Sequence, residues 1–316
     1  MNNSDRVVVC SRSFSRNPVL RAELLAQYKH VKFNDTGRQM GGDELVEFLR
    51  GYDLAITALE RIDANVLSKL PELKAIGKYG VGLDMIDLDA MRNFEKRLGW
   101  VSGINRRSVA ELTLAFAIMM LRHVPKANRE VIVGTWRQHV GGQLSGRTIG
   151  IVGCGNVGKD FVKILQPFGC RILVNDIADY SDFYAEYKIK VVTLDELLEH
   201  SDVVTLHVPL DVTTQDIISD SKLALMKSTA VLINVARGGL VDEVAMKHAL
   251  MESRLAAAAF DVFGTEPPQD LELLKLPNFF ATPHIGGSAE EAILAMGRAA
   301  INGLVENSIP TKDFSS

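Results

Sequence analysis

The stretch GIVGCGNVGKDF, residues 150–161, decides how a large part of this chain folds. It places Gly153, Gly155 and Gly158 in the spacing G-x-G-x-x-G, after an apolar run typical of a strand and before an amphipathic helical pattern. Glycines at these positions permit a tight turn and let backbone N–H groups at the helix start approach a pyrophosphate. In a chain with 25 glycines the spacing alone is weak evidence, but the strand and helix around it predict a dinucleotide-binding unit.

A second strand-like run, RILVND (171–176), follows that helix and ends on Asp176, 18 residues beyond Gly158. A carboxylate at this strand end can accept both ribose hydroxyls of an adenosine and would repel a 2′-phosphate. The alternative is a solvated loop acid, which the complete strand–helix–strand context disfavours. We therefore predict NAD rather than NADP as the cofactor.

Short β-branched runs alternate with helical patterns along the whole chain, which indicates parallel sheets covered by helices on both faces. The pattern restarts near residue 147, so we predict two doubly wound α/β units. The predicted strands are RVVVC (6–10), DLAITA (53–58), LKAIGK (73–78) and GWVS (99–102), then RTIGIVG (147–153), RILVND (171–176), VVT (191–193), DVVTLHV (202–208), AVLINV (230–235) and AAAAFDV (256–262).

The composition of the 316 residues is that of an ordinary globular protein, with 47% hydrophobic and 23% charged residues. A net charge of −4 gives no electrostatic footprint for nucleic acid. Cys10, Cys154 and Cys170 show no metal-ligand spacing and no disulfide pattern, so we expect no metal site and a reducing, cytoplasmic compartment. The longest apolar run, LAFAIMML (114–121), is too short to span a bilayer, and the N-terminus lacks the pattern of a signal peptide, so we expect no membrane association.

Between the two units lies RSVAELTLAFAIMMLRHV (107–124), whose apolar residues cover nearly the whole circumference of a helix. Such a helix must be buried, either in an interdomain core or at a subunit interface. We expect a homodimer.

Three later stretches, INVARGGLVDE (233–243), FDVFGTEPP (260–268) and TPHIGG (282–287), follow the fingerprint in order. Taken alone, TPHIGG indicates only a turn. Together with the fingerprint, the three stretches resemble the D-isomer-specific 2-hydroxyacid dehydrogenase family over nearly the whole chain. In that family the arginine, glutamate and histidine of these stretches form the catalytic set, which implies those roles for Arg237, Glu266 and His284.

The chemistry of this family explains why those residue types are needed. Reduction of a 2-keto acid delivers a hydride to the carbonyl carbon and leaves an alkoxide that needs a proton, which an imidazolium can supply. A neighbouring carboxylate orients the imidazole and raises its pKa. An arginine binds a carboxylate in bidentate fashion and can polarise the carbonyl, while the nicotinamide carries the redox chemistry.

The resemblance also implies ligand contacts outside this set. The loop KYGVGLDMIDL (78–88) looks like the family's substrate loop, where backbone amides hold the substrate carboxylate; the implied substrate contacts are Lys78, Tyr79, Gly80, Val81, Arg237 and His284. An ordinary strand-to-helix turn is the alternative for that loop. We expect His207 to be structural or adjacent to the cofactor. The implied cofactor contacts are Gly153, Gly155, Asn156, Val157, Gly158, Asp176, His207, Val208, Pro209, Thr214, Val235, Ala236, Asp261 and Gly286.

The family architecture implies a discontinuous substrate-binding domain with a flavodoxin-like sheet, formed by residues 1–102 and 286–316. A Rossmann NAD-binding domain, residues 103–285, would be inserted into it, with a cleft between the two. His284 would then lie where the chain leaves the NAD-binding domain, facing the cleft.

Within the family, the chain looks closest to the short phosphoglycerate dehydrogenases of serine biosynthesis. D-3-phosphoglycerate and 3-phosphohydroxypyruvate are thus the expected substrate pair, with Arg61, Lys78 and Arg106 or Arg107 as possible partners of a phosphate. Glyoxylate or hydroxypyruvate reduction is the nearest alternative. Formate dehydrogenases of the family have glutamine in place of Glu266, which disfavours that activity. A corepressor that senses NAD(H) and binds protein partners is the alternative from another class.

Overall fold

The structure is a computed structural model that describes residues 3–311. Its chain divides into two compact units. The first unit takes in the described residues up to Asn105 and those from Ser288 onward, and the second runs from Arg106 to Gly287. Each unit is built on its own parallel sheet.

The first unit opens with ten helices and strands that alternate along the chain. They are β1 (Asn3–Val9), α1 (Arg12–Arg16), α2 (Pro18–Gln27), β2 (Tyr28–Phe33), α3 (Gly42–Leu49), β3 (Leu54–Thr57), α4 (Ala64–Ser68), β4 (Ala75–Lys78), α5 (Leu88–Asn93) and β5 (Arg97–Gly99). The strands pair in parallel in the order β2-β1-β3-β4-β5, the order of flavodoxin-like sheets. Apolar clusters cover both faces, with Val8 and Ile76 buried on one and Val9 and Ile56 on the other.

The second unit begins with two helices and continues as a second alternating series. Its elements are α6 (Arg106–Leu121), α7 (Val124–Ile132), β6 (Thr148–Val152), α8 (Asn156–Leu165), β7 (Arg171–Asn175), α9 (Ser181–Glu186), β8 (Lys190–Val191), α10 (Leu194–His200), β9 (Val203–Leu206), α11 (Asp220–Leu223), β10 (Val231–Asn234), α12 (Glu243–Met251), β11 (Ala257–Phe260), α13 (Leu271–Lys275) and β12 (Phe279–Ala281). The parallel order is β12-β11-β10-β9-β6-β7-β8. The sheet therefore extends the Rossmann order, with its switch point between β6 and β9.

The last helix, α14 (Glu290–Gly303), returns to the first unit and packs on β4 and β5. Two glycines of those strands make the close approach possible. A Cβ on Gly77 would lie 2.2 Å from the Ala300 carbonyl oxygen, and one on Gly99 would lie 2.2 Å from the Gly303 Cα. The helix backbone thus lies directly on the sheet, which any side chain at these strand positions would prevent.

The prediction of two doubly wound parallel-sheet units is confirmed, and the predicted strands fall on observed strands with small shifts. Two strands were missed. Strand β2, YKHVKF, buries only Tyr28 fully and carries exposed lysine and histidine side chains, as an edge strand does. Strand β12 is another edge strand and has only three residues, too few for a periodic signal. The predicted strand at 99–102 was placed too late, since β5 ends at Gly99.

Helix α6 packs against α8 and against strands β10 and β11 of its own unit. It buries Val109, Phe116 and Met120, while Leu114 and Ile118 on other sides remain partly exposed. Among residues 3–311 no single helix has the length and apolar composition to cross a membrane. Helices α6 and α7 reach both only when counted together across a 66° bend.

Candidate active site

The predicted functional groups of the second unit follow four strands of one parallel sheet. The glycine fingerprint comes after β6, Arg237 after β10, Glu266 after β11 and His284 after β12. Because the carboxyl ends of parallel strands lie at the same edge, the fold gathers these groups at the edge where α/β sheets bind ligands.

The three fingerprint glycines differ in what surrounds them: two lie against backbone atoms and one faces open space. Gly153 has a positive φ of 94°, and a Cβ there would lie 2.8 Å from the backbone of His207. A Cβ on Gly158 would lie 2.3 Å from the Gly153 carbonyl oxygen, so this glycine allows α8 to pack on the turn. A Cβ on Gly155 would meet nothing within 4 Å, and no side chain caps the N-terminus of α8. Open space in front of an uncapped helix N-terminus suits a pyrophosphate, so the cradle fits the predicted dinucleotide.

Asp176 follows β7 directly and turns its carboxylate toward the fingerprint. One oxygen accepts a hydrogen bond from the Cys154 amide, and the other accepts one from the Ala178 amide at 2.8 Å. A carboxylate has about four acceptor sites, so two remain for ribose hydroxyls. Cys154 itself is buried in the turn, and burial raises the pKa of its thiol to about 12.

His207 follows β9 beside the fingerprint turn and is partly buried. Its amide continues the ladder to the Val152 carbonyl at 2.7 Å, and its Nε2 lies 3.1 Å from the Thr205 hydroxyl. Burial lowers the pKa of His207 to about 3, so its ring is neutral near pH 7. A neutral ring does not serve as a ready proton donor, which leaves His207 a shaping role in the turn.

The Thr214 hydroxyl and the Asp211 carboxylate hold the loop after His207. The Thr214 hydroxyl donates to the Pro209 carbonyl at 2.7 Å and accepts from the Asp211 amide at 2.8 Å. Asp211 in turn accepts from the Thr213 amide and hydroxyl. The Thr214 side chain, a predicted cofactor contact, is thus already engaged within its own loop.

Asn234, the last residue of β10, shapes the turn that carries Arg237. Its side-chain amide donates to the Arg237 carbonyl at 2.8 Å, and its oxygen accepts from the Ala236 amide at 3.1 Å. A Cβ on Gly238 would lie 1.9 Å from the Phe263 carbonyl carbon. Only glycine therefore lets the Arg237 turn pack against the loop that leads to Glu266.

Glu266 and His284 are in direct contact. The Glu266 Oε2 lies 2.9 Å from the His284 Nδ1, and the other carboxylate oxygen accepts from the Phe263 amide at 3.1 Å. Because an ionised carboxylate can only accept, the proton of this bond sits on Nδ1, and Nε2 is left to exchange a proton. The His284 side chain is 49% exposed, so that nitrogen is accessible.

Asp261, which follows β11 directly, organises the turn that presents His284. It is 1% exposed, and its carboxylate accepts from the Thr282 hydroxyl and from the amides of Ile285 and Gly286. Its backbone carbonyl accepts from the His284 amide at 2.9 Å. His284 adopts a positive φ of 56°, a conformation that this network holds. The sequence alone does not indicate this structural role of Asp261, because an acid after an apolar strand is equally typical of a ligand contact.

The remaining predicted cofactor contacts surround these groups. Val208 contacts the fingerprint turn, since its Cγ1 would lie 2.8 Å from a Cβ on Gly153, and Val235 is 7% exposed after β10. Both backbone polar groups of Gly286 are engaged, because its amide binds Asp261 and its carbonyl accepts from the Ser108 hydroxyl at 2.6 Å. Gly286 therefore shapes the turn and has no free backbone donor.

In the first unit, the predicted substrate loop follows β4. The Tyr79 amide donates to the Thr57 carbonyl at 2.8 Å, so this amide extends the sheet and cannot hold a carboxylate as predicted. Lys78 is 5% exposed, and its ammonium donates to the Ala58 carbonyl at 2.8 Å. By contrast, the amides of Gly80 and Val81 have no acceptor among residues 3–311.

Comparisons with known proteins agree with this geometry. The model of the D-isomer specific 2-hydroxyacid dehydrogenase NAD-binding domain matches residues 114–286. The chain is 38% identical over 261 residues to the D-3-phosphoglycerate dehydrogenase of Methanocaldococcus jannaschii, covering 81% of this chain and 49% of that protein. It is 35% identical over 269 residues to the hydroxypyruvate reductase of Thermotoga maritima, covering 83% and 87%.

A crystal structure of a putative D-isomer specific 2-hydroxyacid dehydrogenase from Polaromonas sp. JS6 66 has the same fold. Its TM-score is 0.88 at 29% identity, with 95% of each chain covered. The chain spans about half the length of the D-3-phosphoglycerate dehydrogenases it matches. These matches confirm the resemblance: the chain belongs to the D-isomer specific 2-hydroxyacid dehydrogenases, a family of NAD-dependent oxidoreductases of 2-hydroxy acids, and carries their NAD-binding domain.

Proposed function

We propose that this chain is an NAD-dependent D-2-hydroxyacid dehydrogenase in which His284, Glu266 and Arg237 carry the proton and charge chemistry. The observation that supports it most is the 2.9 Å pair between Glu266 Oε2 and His284 Nδ1 on a sheet edge that also carries the fingerprint. Nicotinamide, when bound, gives or takes the hydride. In this proposal residues 3–102 and 286–311 form the substrate-binding domain.

In the direction of reduction, protonated His284 gives its Nε2 proton to the substrate oxygen as the alkoxide develops. Glu266 holds the Nδ1 proton and so keeps the ring in place and stabilises its charged form. The Arg237 guanidinium stabilises the developing negative charge on the carbonyl oxygen and binds the carboxylate. In oxidation the neutral ring accepts the hydroxyl proton at the same nitrogen.

Arg237→Ala should therefore raise the KM for the keto acid and lower kcat together, since the arginine acts on both the bound substrate and the transition state. Steady-state kinetics with NADH would measure both constants. Unchanged KM and kcat would remove Arg237 from the proposal.

For the substrate, we propose the pair 3-phosphoglycerate and 3-phosphohydroxypyruvate, which would place the enzyme in serine biosynthesis. The support is the set of D-3-phosphoglycerate dehydrogenases among its relatives, at 36–38% identity. Hydroxypyruvate is the second candidate. It is favoured by the 35% identity to the hydroxypyruvate reductase of Thermotoga maritima and by Lys78, whose ammonium donates to the Ala58 carbonyl.

A panel of keto acids decides between these candidates. NADH oxidation would be followed at 340 nm with 3-phosphohydroxypyruvate, hydroxypyruvate and glyoxylate, and kcat/KM compared. We expect the phosphorylated acid to give the largest value. A larger value for hydroxypyruvate or glyoxylate would reassign the substrate within the family, and no turnover with any of them would favour an NAD(H)-sensing binding protein.

We also propose a homodimer formed through the second unit. Apolar side chains at the end of α7 and in the segment between α7 and β6 are unusually exposed: Ile132 at 74%, Val133 at 77%, Trp136 at 86% and Val140 at 94%. Exposed apolar clusters of this kind mark association surfaces. This segment replaces α6 as the expected interface, because α6 buries its principal apolar face against its own unit.

Light scattering would test the dimer. The wild-type chain should run as a dimer, and the pair of substitutions Ile132→Ser and Trp136→Ser should shift it toward the monomer. Val305→Ser, at a 67% exposed valine of the first unit, is the matched control and should leave the mass unchanged. A monomeric wild-type protein would refute the proposal.

We propose a reducing, cytoplasmic location for the protein. The three cysteines, Cys10, Cys154 and Cys170, are free thiols, which supports this location.

A further inference from the structure

The loop that follows β4 presents backbone donors and little else. Gly80 has a positive φ of 119°, and the amides of Gly80, Val81 and Gly82 have no acceptor within residues 3–311. Successive free N–H groups in a turn of this kind form a concave site for an anion. Such a site works only if the carbonyl oxygens of the same peptides point away from the anion.

One side chain fixes the direction of a carbonyl in this loop. The indole Nε1 of Trp100 donates to the Val81 carbonyl oxygen at 2.9 Å. The Val81–Gly82 peptide is trans, and in a trans peptide the C=O and N–H groups point to opposite sides. The bond to Trp100 therefore aims the Gly82 N–H away from the indole and keeps an acceptor oxygen from turning toward a bound anion.

The indole is itself held in place from two sides. Its ring packs on an apolar cluster of the five-stranded sheet that includes Ile86, and Leu83 packs on the same cluster; Leu83 and Ile86 both lie just after the 80–82 loop. Its backbone follows Gly99, which lies against the Gly303 backbone of α14. Leu98 also exchanges two backbone hydrogen bonds with Ser308. A donor with so little freedom can impose its direction on a loop peptide.

We propose that Trp100 is a positioning residue for the substrate carboxylate and acts through the Val81 carbonyl. The proposal rests on the proposed function and adds to it that the amides of residues 80–82 also donate to the substrate carboxylate. Since the carboxylate keeps its charge throughout the reaction, the contribution of Trp100 is the same in the bound substrate and in the transition state. Its loss should therefore raise KM and leave kcat nearly unchanged.

The test compares Trp100→Phe with the wild-type protein by kinetics and by binding. Phenylalanine keeps an aromatic ring and removes the indole N–H. We expect the KM for the preferred keto acid to rise about tenfold, as loss of alignment of a hydrogen bond to a charged group would cause. The dissociation constant of oxamate, an unreactive mimic of a 2-keto acid, should rise by the same factor in calorimetric titration of the NADH-loaded protein. The affinity for NADH should not change.

Two further variants separate the hydrogen bond from the packing of the ring. Benzothienylalanine at position 100 keeps the shape of tryptophan but has sulfur in place of N–H, and it should reproduce the rise in KM and in the oxamate constant. Tyr52→Phe removes a polar hydrogen from another ring that packs on the same cluster, and it should change neither constant.

The outcomes distinguish this inference from the proposed function. If the wild-type protein turns over a keto acid and binds oxamate, but both Trp100 variants bind oxamate equally well, the role of Trp100 is overturned alone. A fall in kcat and in thermal stability with an unchanged oxamate constant would overturn it as well. A wild-type protein that neither reduces a keto acid nor binds oxamate would overturn the proposed function and this inference with it.

Discussion

At the carboxyl edge of the seven-stranded sheet the candidate groups for the keto acid are side chains, whereas at the carboxyl edge of the five-stranded sheet they are backbone amides. His284, Glu266 and Arg237 lie on turns held by buried polar residues such as Asp261 and Asn234. On the other edge the ammonium of buried Lys78 donates to the Ala58 carbonyl, while the amides of residues 80–82 have no acceptor within residues 3–311.

This difference matches two kinds of task. Proton exchange requires a group that can ionise, which in a protein is a side chain, and a charged side chain such as an arginine can also stabilise a developing negative charge. A carboxylate that keeps its charge needs only fixed donors, which a backbone turn supplies without side-chain entropy. Loss of the proton donor His284 on the side-chain edge should therefore appear mainly in kcat, and damage to the backbone edge mainly in KM.

The largest expected effect is on the side-chain edge. His284→Ala should lower kcat by on the order of 100-fold or more, because it removes the proton donor, and should leave NADH affinity nearly intact. Stopped-flow and steady-state NADH oxidation would measure it. His248→Ala, at an exposed histidine on α12, is the matched control and should keep wild-type turnover. Full turnover in the His284 variant would contradict the assignment of proton transfer to a side chain at the edge of the seven-stranded sheet.

A smaller effect should follow from removing the organiser of the His284 turn. Asp261→Ala leaves the Thr282 hydroxyl and the Ile285 and Gly286 amides without their acceptor. We expect kcat to fall about tenfold and the free energy of unfolding to fall by about 2 kcal/mol.

The matched control for this change is Asp270→Ala, which removes an acid that caps α13 and accepts from two amides. It should cost stability, about 1 kcal/mol, without a comparable loss of kcat. Equal losses of kcat in both variants would mean that general destabilisation, and not the position of His284, explains the Asp261 result.

A third substitution concerns cofactor choice rather than the keto acid. Asp176→Ala should weaken NADH binding by about tenfold and reduce the preference for NADH over NADPH, since the carboxylate that accepts the ribose hydroxyls is lost. Asp176→Asn keeps an acceptor for the Cys154 amide and removes the charge, so it separates the turn from the ribose contact. Equal use of NADH and NADPH by the wild-type protein would contradict the prediction.

The last expected effect is on stability at low pH and not on catalysis. The pKa of His207 is about 3 in the folded protein, below its ordinary value near 6.5, so the unfolded chain binds the proton more tightly. This group therefore lowers the free energy of unfolding as the pH falls from about 6.5 toward 3, by up to about 2 kcal/mol at pH 5. His207→Phe should flatten that decline in urea titrations at several pH values, and an unchanged slope would show that the ring is solvated.

Much of the fold could be predicted because its signals are local in sequence. The fingerprint spacing, the strand before it and the acid at the end of β7 all lie within residues 148–176, and the two series of apolar runs predict two parallel sheets. Strand β2 was not predicted because this edge strand buries only Tyr28 fully and shows no apolar alternation, and β12 was not predicted because its three residues are too few for a periodic pattern.

The sequence by itself determined the family, the NAD-binding domain and the identities of His284, Glu266 and Arg237 as candidates, since each is a residue type at a fixed place in a motif. Only the tertiary structure decided which polar groups are available. In the structure the Tyr79 amide donates to the neighbouring strand, and the Asp261 carboxylate supports the turn that carries His284. The Trp100 indole donates to the carbonyl of Val81, a residue 19 positions away in sequence. Hydrogen-bond partners between distant strand ends depend on how the sheets are ordered and packed, and no local pattern of residues records that.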